Sequence, residues 1–339
     1  MNQLFRWDQM GLFLLALAAG ILPFAVPEVC AAALREGLTL CSGPLLLSLF
    51  PFLVVSRLLI QCPESDLLAL LFRLAAWGIG IRTPCAARVL CIGFLGGFAP
   101  AASAAAQAVR TGQLTAEEAD ALLPACICSG PSFVVLTVGQ SLLGSAELGV
   151  LLFASQITAN YLTAALLNRF VGVRSVKPGS AAPASPAPPR LDEILADAAI
   201  TYCKLCGFIL FFRMLAAGAG ALLPAGAGTL CSILLEVCSG CDLASRTRRW
   251  GSLLCCAALS VQGLSVLLQV RTICPPEMTL RPLYRARLLH LPLSLALFYL
   301  LLPGGEADVF STLPARVLLM RRVPPDCALL VFAVCCMAA

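Results

Sequence analysis

The fold is decided by residues 93–140, which read GFLGGFAPAASAAAQAVRTGQLTAEEADALLPACICSGPSFVVLTVGQ. Two apolar segments are joined here by a short polar turn, and each contains residues that a membrane-spanning helix normally avoids. Glycines and a proline between Gly93 and Pro100 interrupt the first segment, and Ser129-Gly130-Pro131 interrupts the second. A broken helix frees backbone groups that lipid cannot satisfy, so such breaks persist only where they face protein or a water-filled cavity. The stretch therefore predicts a membrane protein with a polar cavity, the arrangement in which transporters hold their solutes.

The composition is that of a membrane protein. Hydrophobic residues make up 60% of the 339 residues and charged residues 12%, and the mean hydropathy is +0.92. Soluble domains are about 45–50% apolar and about 25% charged. Apolar runs of about 20 residues, enough to cross a bilayer, recur along the chain and leave little sequence for a soluble catalytic domain. The net charge of +5 is spread over the links between these runs, so it indicates membrane orientation and not nucleic-acid binding.

The apolar runs predict about eight crossings, give or take one or two. The run Gly11–Val26 lacks a clean cleavage site and predicts a retained first helix. A second crossing is predicted over Gly37–Ile60, whereas Asp66–Ile81 is short enough to lie partly in the interface. A further crossing over Leu148–Phe170 is unusually polar, and its polar side chains are expected to face protein. They are Ser155, Gln156, Thr158, Asn160 and Thr163.

A linker rich in proline, alanine and serine separates two halves of the chain. It covers residues 173–193, and the basic residues Arg169 and Arg174 lie just before and at its start, which places it in the cytoplasm by the loop-charge rule. The predicted domains are an N-terminal transmembrane helix (1–30), a first half (31–172), and a second half with C-terminal helices (194–339). The segments His290–Leu302 and Cys327–Met337 are short for crossings.

The second half resembles the first, which indicates an internal duplication. FLVVSR (52–57) and FILFFR (208–213) share spacing and residue type, and SGPSFVV (129–135) resembles QGLSVLL (262–268). Each of the latter pair follows a glycine-bearing segment, at Gly97 and Gly240. Transporter folds often contain such repeats. The alternative is chance similarity between apolar segments.

A capping box predicts where the second interrupted helix begins. Thr115 and Glu118 have the spacing for it, and the helix is expected to run to about Cys128 and stop at Ser129-Gly130. Pro131 can start a second half-helix, because proline is well tolerated at a helix start. The upstream half would end in unpaired carbonyls that attract a cation, and the downstream half, with Ser132, would begin with amides that attract an acceptor. The alternative is a proline kink without a ligand.

Glu236 is a carboxylate with apolar neighbours on both sides. Near the bilayer centre its charge costs on the order of 3 kcal/mol, so it is expected to be paired or to face water. Arg213 is the candidate partner, and Arg57 stands at the equivalent place in the first half. A structural ion pair and a proton or cation site are equally compatible with this pattern.

Gln262, Ser265 and Gln269 are spaced to share one helix face beside Gly263. Such a stripe suits a neutral polar ligand, such as a nucleoside-like or sugar-like molecule, or hydrogen bonds between helices. Two basic clusters, 246–249 and 281–287, flank this segment; if both are cytoplasmic, the segment is re-entrant or broken near Gly263.

The sequence gives little support to enzymatic chemistry. It contains no phosphate-binding glycine loop with lysine, no serine–histidine–acid set and no zinc pattern, so neither a cofactor nor a metal site is predicted. The eighteen cysteines lie mostly in apolar runs, and Cys203-x-x-Cys206 and Cys238-x-x-Cys241 are expected to be packing residues rather than metal ligands.

The central stretch resembles the sporulation integral membrane protein YlbJ family, in which a glycine-rich break precedes a polar hairpin and an Asn-Ser-Gly-Pro-x-Phe break. LLEVCSG (234–240) and VQGLSVLLQV (261–270) resemble that family's second-half motifs. These segments correspond to the Gate module of nucleoside-recognition proteins, spore maturation proteins, concentrative nucleoside transporters and ferrous-iron transporters. The chain departs from the family pattern at Gly97-Phe98-Ala99-Pro100 and at Cys126-Ile-Cys128. The resemblance, which extends from about residue 32 to about residue 307, implies a role in cortex or coat maturation in an endospore-forming bacterium.

Together these observations predict an all-α polytopic membrane protein with two Gate-like halves. The expected function is that of a transporter- or channel-like protein of the cell membrane for a small polar solute such as a nucleoside. The alternative is a non-transporting scaffold of the spore envelope, with homo-oligomers or other sporulation membrane proteins as partners. The predicted ligand-binding residues are Gly97, Ser129, Gly130, Pro131, Ser132, Asn160, Glu236, Gly240, Gln262, Gly263, Ser265 and Gln269.

Overall fold

A computed structural model describes residues 2–61, 67, 69–171, 190–247 and 250–302, and over these residues the chain is helical without strands. Most of the predicted linker, Arg248, Arg249 and the C-terminal run Cys327–Met337 lie outside the described residues. The helices are α1 Asn2–Ala25, α2 Pro27–Ser42, α3 Pro44–Gln61, α4 Leu70–Gly78, α5 Pro84–Gly96, α6 Phe98–Arg110, α7 Ala116–Cys126, the π-helix Ser132–Leu142, α8 Ala146–Val171, α9 Leu191–Leu222, α10 Ala225–Leu235, α11 Val237–Ser245, α12 Gly251–Val261, α13 Gly263–Ile273 and α14 Arg281–Leu301.

Four stretches of the described chain are long and apolar enough to cross a bilayer: 27–47, 146–170, 191–222 and 251–273. The chain is therefore a membrane protein, as its composition predicts. The first stretch joins α2 to the start of α3, and the last joins α12 to α13. Several further apolar helices are shorter, so the count of about eight crossings stays a prediction.

Two pairs of helices fold back on themselves as hairpins. In hairpin 1, formed by α5 and α6, a β-carbon placed on Gly93 would lie 3.2 Å from the Ala101 β-carbon across the turn at Gly97. In hairpin 2, formed by α10 and α11, a β-carbon on Gly240 would lie 2.8 Å from the Ile233 α-carbon. The glycine-rich segment of the sequence thus produces a helical hairpin and not a kinked continuous helix.

Two other helices are broken but continue onward. The capping box at Thr115 and Glu118 starts α7 as predicted, with both reciprocal hydrogen bonds present. Break 1, residues 127–131, separates α7 from the π-helix, so the predicted restart near Pro131 is confirmed, although in π rather than α geometry. Break 2 lies between α12 and α13 at Gln262, which has a φ of 62° and is followed by Gly263 with a φ of 70°. The predicted break near Gly263 is therefore confirmed one residue earlier.

Hairpin 1 opens on the side of the molecule where α9 begins, which is called the α9-start side below. Arg88, on α5, donates to the carbonyl of Ile60 at 2.7 Å and to Gln113 Oε1 at 2.9 Å, which ties the open end of the hairpin to the end of α3. That end of α3 in turn contacts the start of α9, through an ion pair of 2.6 Å between Arg57 and Asp197. The tip of hairpin 1 therefore points away from the α9-start side, toward the middle of the helix bundle.

Hairpin 2 opens on the opposite side, where α9 ends. Only residues 223 and 224 separate α9 from α10, and a β-carbon on Gly228 would lie 3.1 Å from the Gly220 α-carbon. Further along α10, the Ser232 hydroxyl donates to the Ala216 carbonyl of α9 at 3.4 Å. Because α10 runs antiparallel to the last part of α9, the two hairpin tips approach each other from opposite ends of α9.

The two basic clusters of the second half lie at opposite ends of α12–α13. Arg246 follows α11 at the open end of hairpin 2, whereas Arg281 follows α13, whose Ile273 carbonyl accepts a hydrogen bond of 3.5 Å from Arg110 of hairpin 1. The segment therefore runs from the α9-end side to the α9-start side through a break. This excludes the alternative of a re-entrant segment with both clusters on one side.

The polar residues of α8 face protein, with one exception. Ser155, Gln156, Asn160 and Thr163 are all at most 3% exposed, and Thr158 is exposed. The helix packs against α14 and the π-helix, and its buried face meets a core that α5, α6, α7 and α12 share. The sequence-based expectation for this face is confirmed, and Thr158 marks the outward face of the helix.

Candidate functional site

The tip of hairpin 1 lies against break 1, backbone to backbone. Gly97 has a φ of 81°, and a β-carbon there would lie 2.6 Å from the Gly130 nitrogen and 3.1 Å from the Cys128 carbonyl oxygen. Any residue with a side chain would be strained by this φ and would also collide with main-chain atoms that cannot move aside. The glycines predicted at these two positions are therefore needed for the crossing of the two elements.

The tip of hairpin 2 lies against break 2 in the same manner. Gly263 has a φ of 70°, and a β-carbon there would lie 2.9 Å from both the Glu236 nitrogen and the Leu235 carbonyl oxygen. In each case a hairpin tip crosses the interruption of a long helix. Each hairpin also contacts the broken helix of the other crossing. Helix α6 of hairpin 1 packs on α13, and α11 of hairpin 2 packs on the π-helix.

One backbone carbonyl connects the two crossings. The oxygen of Ile127, at the end of α7, accepts hydrogen bonds from Asn160 Nδ2 at 3.2 Å, Gln262 Nε2 at 3.4 Å and Arg287 Nη2 at 2.7 Å. The last carbonyls of a helix carry its partial negative charge, so a guanidinium is well placed there. These four residues, all buried, are called the polar junction below.

Side chains from three helices extend the polar junction. Arg287 also donates to the Ser260 carbonyl at 3.3 Å, and His290 Nε2 lies 3.2 Å from the Gln156 carbonyl oxygen. The Gln156 amide donates to Ser260 Oγ at 3.0 Å, and the hydroxyls of Ser260 and Ser294 are 2.5 Å apart. The result is a continuous buried network between α8, α12 and α14.

The turn before α14 holds Arg287 in place. Asp120, on α7, accepts hydrogen bonds from the Thr279 nitrogen at 2.8 Å, the Thr279 hydroxyl at 2.7 Å and the Leu280 nitrogen at 3.1 Å. Leu280 has a left-handed φ of 57°, and α14 begins at the next residue. Because α7 supplies both Asp120 and the Ile127 carbonyl, it fixes the start of α14 and the group that Arg287 binds.

Two acceptor atoms of the polar junction have no partner among the described residues. Asn160 Oδ1 and Gln262 Oε1 are buried and make no hydrogen bond there, and the same holds for His290 Nδ1 and Arg287 Nε. An unsatisfied buried polar group costs about 1–3 kcal/mol, whereas a hydrogen bond between membrane helices contributes only about 0.6 kcal/mol. An apolar junction would therefore be at least as stable. The two amide oxygens are placed to accept from N–H or O–H groups, or to coordinate a cation.

Glu236 does not pair with Arg213, contrary to the sequence-based expectation. Its carboxylate folds back and accepts from the Cys238 nitrogen at 2.8 Å and the Ser239 nitrogen at 2.7 Å, which caps the start of α11. Arg213 instead pairs with Glu36 at 2.7 Å. The unpaired amides of α11 are closer and need no second helix, so the local cap forms first. Glu236 is 1% exposed and belongs to the tip of hairpin 2.

The other predicted residues are divided between the crossings and other sites. Ser129 is buried in break 1 and Pro131 begins the π-helix, but Ser132 is exposed. Gly240 packs against α10 within hairpin 2. Gln262 leaves the helix at break 2 and so does not share a face with Ser265 and Gln269.

Those last two residues are hydrogen-bonded to each other within α13, with Gln269 Nε2 donating to Ser265 Oγ at 2.9 Å. They do not reach the Ile127 carbonyl. Of the three residues of the predicted stripe, only Gln262 joins the polar junction, and ligand binding by Ser265 and Gln269 stays a prediction.

Sequence reasoning missed the contribution of α14. Arg287, His290 and Ser294 lie at positions i, i+3 and i+7 on one face, and all three are buried. The spacing was available in the sequence, but Arg287 was grouped with the basic cluster of a loop. The sequence predicts for Gln156 only that it faces protein. No sequence pattern distinguishes Ser260 from the other small residues of its apolar run.

No family model, no curated protein and no solved structure matches this chain.

Proposed function

We propose that the protein is a membrane transporter of a small polar solute, built from two inverted halves whose hairpin tips meet at the polar junction. The observation that carries the proposal is the pair of crossings, Gly97 on break 1 and Gly263 on the tip of hairpin 2. Backbone breaks at membrane depth are costly unless they line a site, and secondary transporters place substrate sites at such breaks.

The order of elements supports two inverted halves. The first half consists of α3, hairpin 1, α7 with the π-helix, and α8; the second consists of α9, hairpin 2, α12 with α13, and α14. The short helix α4, between α3 and hairpin 1, has no counterpart in the second half. Each half thus has a lead helix, a hairpin, a broken helix and a closing helix. Since hairpin 1 opens on the α9-start side and hairpin 2 on the α9-end side, the halves are related by a pseudo-two-fold axis in the membrane plane, as in inverted-repeat transporters. The first of these halves lies within the predicted domain 31–172, whereas the second begins with α9 at Leu191, three residues before the predicted domain 194–339.

The chemistry of the polar junction favours a neutral solute that donates hydrogen bonds. Asn160 and Gln262 present unpartnered amide oxygens, while Arg287 already serves two carbonyls. The N–H and O–H groups of a nucleoside would satisfy those oxygens, in agreement with the Gate-like motifs of the sequence. In the present conformation the junction is closed, because the two acceptor atoms are buried. Uptake would therefore require the hairpin tips to separate from the breaks.

The proposal is tested by uptake of labelled uridine into liposomes that contain the purified protein. We expect time-dependent uptake, and we expect Asn160→Leu and Gln262→Leu to reduce it at least tenfold while the protein stays folded. Thr158→Val is the matched control, because Thr158 lies on α8 near Asn160 but is exposed. Uptake no greater than in empty liposomes, for uridine and for a panel of other polar solutes, would contradict transport.

The alternative is a scaffold in which the same network only locks the helices. Full occupancy of the Ile127 carbonyl by three donors favours this alternative. Leucine has about the same side-chain volume as glutamine. If the protein is a scaffold, cells that carry Gln262→Leu should therefore keep the wild-type phenotype. A transporter would lose the phenotype although the protein remains at wild-type level in the membrane.

We further propose, on the YlbJ-like motifs alone, that the protein acts in spore formation in the cell membrane of an endospore-forming bacterium. Deletion of the gene in its host should then lower the yield of heat-resistant spores at least tenfold, and the wild-type gene should restore it. Normal spore yield in the deletion strain would refute this role and leave the transport proposal standing.

A further inference from the structure

A second polar cavity lies outside the polar junction. It has a volume of about 290 Å³ and is enclosed by α3, α6, α9 and α13. Its charged lining residues are Arg57, Arg110, Lys204 and Asp197, and Gln269 lies at its wall. Along α13, Gln269 is seven residues from Gln262, or about 10 Å. The cavity is therefore distinct from the site proposed for the solute above.

The cavity carries a net positive charge. Three cationic side chains and one carboxylate face it, which leaves a balance of +2. Arg57 is nearly buried. Its Nη1 donates to Asp197 Oδ2 at 2.6 Å, and its Nη2 donates to Thr201 Oγ1 at 3.2 Å. Lys204 makes no ion pair with any residue that the structure describes, and Asp197 is 64% exposed. One carboxylate at the rim does not neutralise this lining.

Buried polar atoms without partners add a second, independent indication of a ligand. Arg57 Nε, a donor, and Gln269 Oε1, an acceptor, make no hydrogen bond with the described residues. Both residues line the same cavity. A ligand that offers acceptor oxygens together with a hydroxyl would satisfy both, and arginine is well suited to the paired oxygens of phosphate and carboxylate groups.

The cavity lies where the aqueous side meets the bilayer. Helix α9 has 32 residues, about 48 Å, and so exceeds the roughly 30 Å of hydrocarbon. Its first fourteen residues contain four charged residues, whereas residues 205–222 contain only Arg213. The cavity residues Asp197, Thr201 and Lys204 are in that charged first part. A charged ligand could therefore enter from water without crossing the hydrocarbon.

We propose that this cavity binds a small anion with a phosphate group, either a soluble phosphate ester or the headgroup of an anionic lipid. Lys204 and Arg110, both exposed at the cavity, attract the anion, and the Arg57 guanidinium contacts its oxygens in competition with Asp197. The site does not depend on the transport proposal, because it uses none of the four residues of the polar junction.

Binding of inorganic phosphate to the full-length protein in phosphatidylcholine nanodiscs, measured by isothermal titration calorimetry at low salt, tests the proposal. We expect saturable binding, weakened about tenfold by Lys204→Gln and by Arg110→Gln, because each removes a charge that faces the ligand. Arg285→Gln is the control, since Arg285 is an exposed arginine on α14 that does not line the cavity. It should leave the dissociation constant unchanged.

Asp197→Asn gives a test in the opposite direction. The substitution removes the carboxylate that repels an anion and occupies Arg57, so phosphate should bind about fivefold more tightly or better. A residue that serves only to hold α9 against α3 would show the opposite effect or none. A misfolded variant would lose phosphate binding, so tighter binding by Asp197→Asn could not be explained by misfolding.

The source of the phosphate group is resolved by repeating the titration in phosphatidylglycerol nanodiscs. A phosphate affinity reduced at least fivefold in the wild type, but not in Lys204→Gln, identifies a lipid headgroup as the occupant. An unchanged affinity identifies a soluble anion. The proposal is overturned if folded wild-type protein shows no saturable phosphate binding up to 10 mM, or if the cavity variants behave like Arg285→Gln.

Discussion

At the scale of single residues, the Ile127 carbonyl is the group on which the two halves converge. Asn160, Gln262 and Arg287 come from three different elements, and each donates to this one oxygen. The arginine is the strongest of the three donors, because its hydrogen bond is charge-assisted and the shortest at 2.7 Å. It also binds Ser260, so it connects α7 to α12.

Arg287→Lys should therefore destabilise the protein by about 2 kcal/mol. Lysine keeps the charge but presents a single point donor, so it cannot serve both the Ile127 and Ser260 carbonyls as the guanidinium fork does. Arg285→Lys, two residues away on the exposed face of α14, should change the stability by less than about 0.5 kcal/mol. Thermal unfolding of the two variants in the same detergent provides the comparison. Equal melting temperatures for the two variants would show that the hydrogen bonds of Arg287 do not stabilise the polar junction.

Glu236 gives a second prediction at this scale. Glu236→Ala removes the acceptor for two backbone amides of α11, so it should lower the free energy of unfolding by about 1–2 kcal/mol. The same substitution should also abolish solute uptake. Glu236→Gln retains one carbonyl acceptor and should lose roughly half as much. Membrane level, melting temperature and uptake of the two variants test this order. Wild-type values for Glu236→Ala would show that the cap contributes nothing.

At the scale of elements, four helix interruptions define the architecture, and they are of two kinds. Hairpins turn back at Gly97 and Glu236, whereas the long helices restart at Pro131 and Gly263. The close approach at each crossing requires glycine on one partner. This requirement explains the glycines at positions 97 and 263, where a β-carbon would meet main-chain atoms within 3 Å.

Alanine substitutions separate steric contact from backbone strain. Gly97→Ala combines a positive φ with a collision at 2.6 Å and should destabilise by about 3 kcal/mol or more. Gly144→Ala has a φ of 76° but no atom within 4 Å, so strain alone should cost about 1–2 kcal/mol. Gly207→Ala, in open space within α9, should be neutral or slightly stabilising. Melting temperatures in any other order would contradict the crossing at Gly97.

The sequence predicted the interruptions better than their geometry. Proline, glycine and the capping box are local signals, so the start of α7, the restart near Pro131 and the break near Gly263 could be predicted from the residues. Whether an interrupted helix turns back or continues depends on what it packs against, which no local pattern contains. For the same reason Gln262 was assigned to a helix face with Ser265 and Gln269, although its left-handed backbone removes it from that face.

Site residues on distant elements were harder to predict. Arg287 and His290 are buried only because the turn bound by Asp120 directs α14 between α7 and α8. A basic residue near an apolar run is usually a loop residue, and the sequence contains no sign of the partner that buries it. Asn160, in contrast, was predictable, because a polar residue within a long apolar helix has few alternatives to facing protein.

At the scale of the whole molecule, the distribution of basic residues agrees with the orientation predicted from the linker. Arg57, Arg110, Lys204 and Arg281 lie toward the α9-start side, which continues into the linker. The positive-inside rule therefore predicts that this side is cytoplasmic, although Arg246 lies on the other side. Hairpin 1 would then enter from the cytoplasm and hairpin 2 from outside, the arrangement expected of alternating access by two opposed repeats.

The orientation of the two hairpins is the claim on which the transporter proposal depends most directly. A specific protease site inserted at Gly112, at the open end of hairpin 1, should be cut from the same side as a site inserted in the linker. A site inserted at Thr247, at the open end of hairpin 2, should be cut only from the other side. Cleavage assays on right-side-out and inverted vesicles measure this. Cleavage of the Gly112 and Thr247 sites from the same side would contradict the inverted halves.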